Sequence, residues 1–214
     1  MPKTDVANKR LPIMPSRKSG MERYEFILDC AEQLLKQGSP EEINIYEVAD
    51  RAELAVQSVY RIFPSAAAVN YALAQRFLNG MADAYADMDI SDCRSWQQTV
   101  EKSCRFWTAF YNSHPHAMEL LLGSGVIREV RESDRQIVTL IAERLQNRLR
   151  DMGLIDVNIQ LEKQIEIAIE ILDATWSRSY YSDGKITDFY LRESVIAVVA
   201  YLELYLPRYS TPRA

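Results

Sequence analysis

Apolar residues recur every three to four positions along most of this chain, and the rhythm breaks only at a few Gly, Pro and Asn positions. Tyr24, Ile27, Leu28, Ala31, Leu34 and Leu35 predict a first helix over residues 20–37, stopped by Gly38, Ser39 and Pro40. Asn44, with Glu47 three residues on, makes a capping-box-like pair and opens a second helix over 45–52. A third covers 56–62. Pro64 closes it, and Ser65 caps a fourth helix over 66–88, striped with Val69, Leu73, Phe77 and Met81. After a break at 89–95, a fifth helix spans 96–112 and ends at His114 and Pro115. A short sixth over 116–122 runs into Gly123, Ser124 and Gly125. A seventh extends to 152, before Gly153. Asn158 opens an eighth that lasts to 181, Asp183 and Gly184 make a turn, and a ninth spans 187–206 before Pro207. The expectation is an all-α fold of about nine helices, with no internal repeat and no low-complexity segment.

Within that pattern, residues 43–69 stand apart. Two short amphipathic helices fit there, joined by a tight turn at Ala52, Glu53 and Leu54. Val48, Ala49, Ala52, Leu54, Val59 and Phe63 supply a compact apolar core. The other side of the third helix offers Ala55, Gln57, Ser58 and Arg61. Short side chains let such a helix approach base edges. Gln57 suits a paired bond to adenine, Ser58 suits either base type, and Arg61 reaches phosphate or guanine. Tyr60 suits a phosphate contact with its ring held on the scaffold. This is the pattern of a helix-turn-helix whose second helix enters a DNA major groove. The competing reading of the same periodicity is an ordinary three-helix packing unit.

The run S-V-Y-R-I-F-P-S, together with Ala31, Gly38, Ile45, Val48, Ala49, Ala52 and Leu54, resembles the TetR family of bacterial transcriptional repressors over about a quarter of the chain. The resemblance implies a three-helix DNA-binding domain over 20–65, preceded by a basic flexible arm over 1–19. A larger helical effector-binding and dimerisation domain follows over 66–214. It also implies a homodimer that binds a palindromic operator in double-stranded DNA and is released by a small molecule. The DNA-contacting set is then Arg17, Lys18, Asn44, Ala55, Val56, Gln57, Ser58, Tyr60, Arg61 and Ser65.

The chain departs from the family pattern at three places. Glu53 replaces the usual turn glycine. A non-glycine residue in a left-handed turn costs about 1 kcal/mol, so a slightly reshaped turn is expected. Ala55 replaces a capping serine. Ala66 replaces a phosphate-anchoring lysine, which shifts the expected backbone contacts to Arg17, Lys18 and Arg61.

Charge refines this picture. The net charge is −5, which by itself argues against nucleic acid. Its distribution does not: Lys3, Lys9, Arg10, Arg17, Lys18 and Arg23 face only Asp5 and Glu22 in the first 23 residues. A basic arm on an acidic body fits a protein that touches phosphates at one end, and a solvated tail would read the same way.

The last two helices are apolar on more than one side. Leu161, Ile165, Ala168, Leu172 and Trp176 form one stripe of the eighth, and Ile167, Ile171 and Ala174 a second. On the ninth, Val195, Ile196, Val198, Val199, Leu202 and Leu206 wrap most of the way round. The resemblance implies that these helices pair with their mates as a four-helix bundle. The alternative is a pair of central helices in a monomer.

Aromatic residues crowd the fifth helix and recur on the eighth. The expected ligand-binding set is Trp107, Phe110, Tyr111, Met118, Leu122, Asp173, Trp176 and Tyr180. Arg105, His114, His116 and Glu119 are further polar candidates. Asp173 lies on an otherwise greasy stretch. It either meets a cationic or hydroxyl-bearing ligand, pairs with an arginine or caps a neighbouring helix. A ligand there would shift the sixth helix about Gly123, Ser124 and Gly125, swing the fourth and change the spacing of the reading heads.

No Ser-His-Asp set, phosphate-binding glycine loop or metal-ligand spacing occurs, so no enzyme, cofactor or metal is expected. Cys30, Cys93 and Cys104 form no paired framework, and no secretory leader precedes them, which points to a reducing, cytoplasmic setting. Cys30 reads as a core thiol, while Cys93 and Cys104 leave a redox pair open. The most apolar stretch, 195–206, is too short to cross a bilayer. The expected function is a ligand-responsive dimeric regulator. The alternative is a helical carrier or adaptor that has lost DNA binding.

Overall fold

The computed structural model describes residues 10–123, 128–156 and 158–207, and every regular element among them is an α-helix. They are α1 (Lys18–Leu35), α2 (Ile45–Arg51), α3 (Val56–Tyr60), α4 (Ala66–Ala86), α5 (Trp96–Ser113), α6 (Pro115–Leu122), α7 (Arg128–Asp151), α8 (Glu162–Asp183) and α9 (Asp188–Leu202). The all-α expectation holds. The chain divides into two compact units. One takes in the described residues up to Leu78 with Glu119–Ser133, the other Asn79–Met118 with the residues from Asp134 on. Helices α4, α6 and α7 contribute residues to both.

In the first unit, α1 turns Tyr24, Ile27, Leu28, Ala31 and Leu35 inward, and all are buried. Val48 and Ala49 of α2, Val59 of α3, and Phe63, Val69 and Leu73 are also shut off from solvent in this unit. Phe63 packs its ring 5.0 Å from Tyr24. Asn44 Oδ1 accepts the Glu47 N–H at 3.0 Å, the first half of the expected capping box. Ser65 Oγ accepts the Ala68 N–H at 3.2 Å and starts α4. From α4, Arg76 reaches Glu25 at 2.6 Å, Asp29 at 2.7 Å and Glu32 at 3.1 Å on α1. Glu25 and Asp29 are largely exposed, so water screens this cluster and its main effect is to orient.

The turn between α2 and α3 corrects one expectation. It is not reshaped by Glu53. The residue adopts φ 53° in the left-handed region. The Glu53 N–H donates to Asp50 O and the Leu54 N–H to Ala49 O, both at 3.0 Å, which is the double bond of a Schellman ending. The end of α7 closes identically, with Gly153 at φ 68° and Leu154 N–H donating to Leu149 O at 2.9 Å. The hydrogen bonds and the buried flanks hold Glu53 where a glycine would sit without strain.

The amino-terminal segment differs as well. A flexible arm was expected through residue 19, but α1 begins at Lys18 with Arg17 as its extended cap residue. The Ile13 N–H donates to Ile62 O at 2.7 Å. Pro15 lies against Gly20, where a Cβ would come within 2.6 Å of it. The segment is thus fastened to the head by an apolar anchor and a backbone bond that charge counting did not reveal. Lys3 and Lys9 lie outside the described residues, as do Ser124 and Gly125 of the expected hinge.

In the second unit, Tyr85 is the hub. Its ring stacks on Trp107 at 4.5 Å, and its hydroxyl bonds Ser103 Oγ at 3.1 Å. Arg148 of α7 lies over the same ring and donates to Ala86 O at 3.0 Å and Met88 O at 2.6 Å. Those donors cover carbonyls that the end of α4 leaves without helical partners. Asn112 clamps the α8–α9 turn, exchanging bonds with Ile186 N–H and O at 2.9 and 2.8 Å. Trp176 Nε1 donates to Ser194 Oγ at 3.1 Å across α8 and α9.

Two boundaries move. The eighth helix starts at Glu162, not at Asn158, because Asn158 spends its bonds on an Asp156 turn. The ninth stops at Leu202, where Glu203 serves as its cap. Cys30, Cys93 and Cys104 are all free and buried. Burial pushes the Cys104 thiol up to about 12, so it is not a ready nucleophile.

Candidate nucleic-acid interface and ligand cavity

Helix α3 presents the expected residues in a graded way. Val59 is fully buried and fixes the helix to its unit, while Ala55, Gln57 and Arg61 are exposed and Val56 and Ser58 are half-buried. Tyr60 keeps 40% of its surface in solvent, enough to reach a phosphate with its hydroxyl while its ring stays seated. Ala55 caps α3 with extended backbone and contributes no side-chain bond. Asn44 and Ser65 belong first to the scaffold, since each uses its side-chain oxygen to cap a helix.

A shallow groove gathers Ile13, Ser19, Gly20 and Arg23 with Ser58, Arg61 and Ile62. The start of α1 is thereby beside α3, and Arg17 and Lys18, both exposed, stand immediately before Ser19. Arg23 joins this surface although it lies outside the expected DNA-contacting set. Tyr46, which projects from α2 next to Asn44 and is 66% exposed, also lies outside that set. Its place two residues after a cap, on the polar side of α2, was the available signal.

The second unit contains a cavity of about 40 Å³ lined by α4, α5, α7 and α8. Four expected residues meet there: Trp107, Tyr111, Asp173 and Trp176. Four do not. Phe110 stacks on His114 at 4.5 Å, Met118 is fully buried elsewhere, Leu122 belongs to the other unit, and Tyr180 lies beside Tyr181. Arg105 pairs with Glu101 at 2.8 Å, and His114 Nδ1 bonds Phe110 O at the end of α5. Outside the expected set, the wall also holds Met81, Ile137, Val138, Ile141, Ile169, Leu172 and, above all, Asp134. Asp134 sits in a highly charged stretch of α7 that reads as solvated surface, which hid it.

The electrostatics of the cavity are unusual. Burial raises the Asp173 carboxyl well above the usual carboxylate range, and the negative charges of Asp134 and Glu170 raise it further. Burial likewise raises the Tyr111 phenol, with Asp173 and Asp134 adding to the effect. Tyr111 and Trp176 meet edge to face at 6.0 Å.

A TetR-family transcriptional regulator from Streptomyces coelicolor superposes with a TM-score of 0.63 at 19% identity, over 86% of this chain and 97% of that one. A TetR transcriptional regulator from Rhodococcus sp. RHA1 gives 0.63 at 14% identity, over 90% and 100%. The chain has the TetR-regulator fold. FadR from Bacillus subtilis, solved in complex with stearoyl-CoA, is similar at a TM-score of 0.56 and 14% identity, over 86% and 98%. No protein-family model matches the sequence, and no curated protein does. In this TetR fold, the helix-turn-helix read from residues 43–69 is α2, the Glu53 turn and α3. No helix among the described residues is long and apolar enough to cross a membrane.

Proposed function

We propose that this protein is a cytoplasmic, ligand-responsive transcriptional regulator that reads double-stranded DNA with α3. The observation that carries this reading is the α2–turn–α3 unit, whose buried Val59 anchors a helix with Gln57, Tyr60 and Arg61 facing solvent. Residues 20–65 form the reading domain and residues 66–214 the effector-binding and dimerisation domain. Gln57 and Ser58 contact base edges, with Ala55 and Val56 packing close to them. Arg17, Lys18, Tyr60 and Arg61 hold phosphates, helped by the capped Asn44 and Ser65 at the flanks.

The protein acts as a homodimer through α8 and α9. On α8 one stripe, Ile165 to Trp176, is spent on the chain's own core, with Leu161 buried just before the helix. The second leaves Ile167 49% exposed, and on α9 Ile196 is 55% exposed. Phe189, Leu204 and Tyr205 extend this uncovered apolar surface. A second copy covers it most economically, and two heads spaced by about one DNA turn then match a palindromic operator. Ligand binding in the helical body changes the preferred spacing and releases DNA, so the regulator is a repressor. The stearoyl-CoA held by the Bacillus subtilis neighbour supports a small-molecule effector, though not its chemistry.

The test is selection of bound duplexes from a random pool, followed by gel shift and sedimentation. The selected site is expected to be a palindrome, bound by a dimer. Tyr60→Ala and Arg61→Ala should each weaken binding about tenfold or more while the helical content is kept. A folded wild-type protein that stays monomeric and binds no duplex overturns the reading. It would favour the helical carrier suggested by Ala66, which removes a phosphate-anchoring charge.

A further inference from the structure

The cavity of the second unit has a chemistry that the regulator reading does not specify. Its walls are mostly apolar: Met81 from α4, Ile137, Val138 and Ile141 from α7, and Ile169 and Leu172 from α8. Three aromatic residues, Trp107, Tyr111 and Trp176, complete them. The charged groups on the wall are two aspartates, Asp134 and Asp173, from different helices. No Lys, Arg or His lines it. Among the described residues, no hydrogen bond or ion pair engages the Asp173 side chain.

An acid in such a place is costly as an anion, because burial removes its water and a second acid repels it. Asp173, set on α8 against a second acid from α7, is poorly explained by packing, since a leucine or asparagine would fill the space without that cost. It is well explained by a positive partner that arrives from outside. The faces of Trp and Tyr rings attract the same partner through their quadrupoles. An anionic head group would meet two like charges and no cation.

We propose that this cavity is the effector site and that it selects an organic cation, a protonated amine or quaternary ammonium with an apolar flank, held by Asp173 and Asp134 against Trp107, Tyr111 and Trp176. The proposal rests on the regulator reading for the word effector, but not for the binding itself. The cavity of about 40 Å³ holds about three water molecules. A small ammonium head suits that space, and the flank enters as the surrounding apolar side chains part. Ligand entry therefore moves the walls, which is what coupling to a distant function requires.

A pH signature follows. Asp173 faces Asp134 from α7, Tyr111 from α5 and Glu170 on its own helix, while α4 supplies only Met81. A cation binds the ionised carboxyl. Its binding releases a proton, and affinity rises with pH until Asp173 is fully ionised.

The test uses the full chain and the fluorescence of Trp107 and Trp176. The probes are benzyltrimethylammonium, its neutral carbon isostere neopentylbenzene, and phenylacetate. The cation should quench saturably, at least tenfold more tightly than the isostere, with no saturable response to phenylacetate. Asp173→Asn should weaken the cation at least tenfold and flatten the pH profile, and Asp134→Asn should weaken it less. Equal binding of isostere and cation, tighter binding of the anion, or no saturable binding of the cation at millimolar concentration overturns the proposal. The three-probe comparison on wild-type protein decides this even if a variant misfolds. Gel shifts of the same samples on the selected duplex separate the two readings. DNA binding without cation selectivity removes this site alone. Cation selectivity without DNA binding removes the regulator and leaves the site.

Discussion

The α1–α3 head and the helical body handle charge in opposite ways. Around α3, Arg17, Lys18, Arg23 and Arg61 stand in water at the surface. Their charge is permanent, and it acts on any phosphate that comes within a Debye length. In the body, Asp134 and Asp173 line a small apolar cavity, where charge depends on what else is present. The first arrangement suits constant attraction to a polyanion. The second suits detection, because a cation favours the ionised form of the Asp173 carboxyl that burial disfavours. The regulator proposed above needs both, and the two arrangements belong to separate compact units.

That contrast can be broken at several points. The largest effect is expected at the core of the head. Phe63→Ala removes a fully buried ring packed at a tilt against Tyr24 and should lower stability by about 3–5 kcal/mol, read by chemical denaturation. Quenching of the body tryptophans by benzyltrimethylammonium should survive under mild conditions if the units are energetically distinct. Next comes Arg61→Ala, which should weaken DNA binding about tenfold and reduce the salt slope by about one, with the melting temperature unchanged. A fall in melting temperature would instead make Arg61 part of the scaffold.

Asp173→Asn sharpens the body's side of the contrast. The folded-state pKa is raised, so the folded protein holds a proton that the unfolded chain gives up at lower pH. Stability therefore falls as pH rises from the ordinary carboxylate range to the raised value, and the loss is complete above it. The asparagine variant should escape that fall and melt a few degrees higher at neutral pH. Equal pH profiles for the two proteins would mean that the carboxyl is solvated. The smallest effect is expected at the turn: Glu53→Gly should stabilise by about 1 kcal/mol or less, relief of the left-handed strain being partly offset by chain entropy. DNA affinity should not change.

The helices themselves were legible in the sequence. Apolar spacing placed the nine helices of the described residues to within a few residues. At Asn158 and at the start of α1 a local bond or a docked segment moves the end, and the last helix stops short of its expected bound, at Leu202. The TetR likeness was also legible, because the head is built from contiguous residues whose spacing is dictated by one short turn. Most of the proposed cavity was not. Trp107, Tyr111, Asp173 and Trp176 advertise themselves as aromatics or as an acid on a greasy helix, but Phe110 and Tyr180 look the same and point elsewhere.

The chain's linear order therefore determined which segments coil, where they stop and which short unit has the form of a DNA reader, since those depend on neighbours within a few positions. Only the packed structure decided that Ile13 fastens to Ile62. It alone put Asp134, from a stretch of α7 that looks like solvated surface, on the same wall as Asp173. Residues brought together from different helices share no spacing rule, so their meeting is set by how helix faces interlock and cannot be read from any one of them.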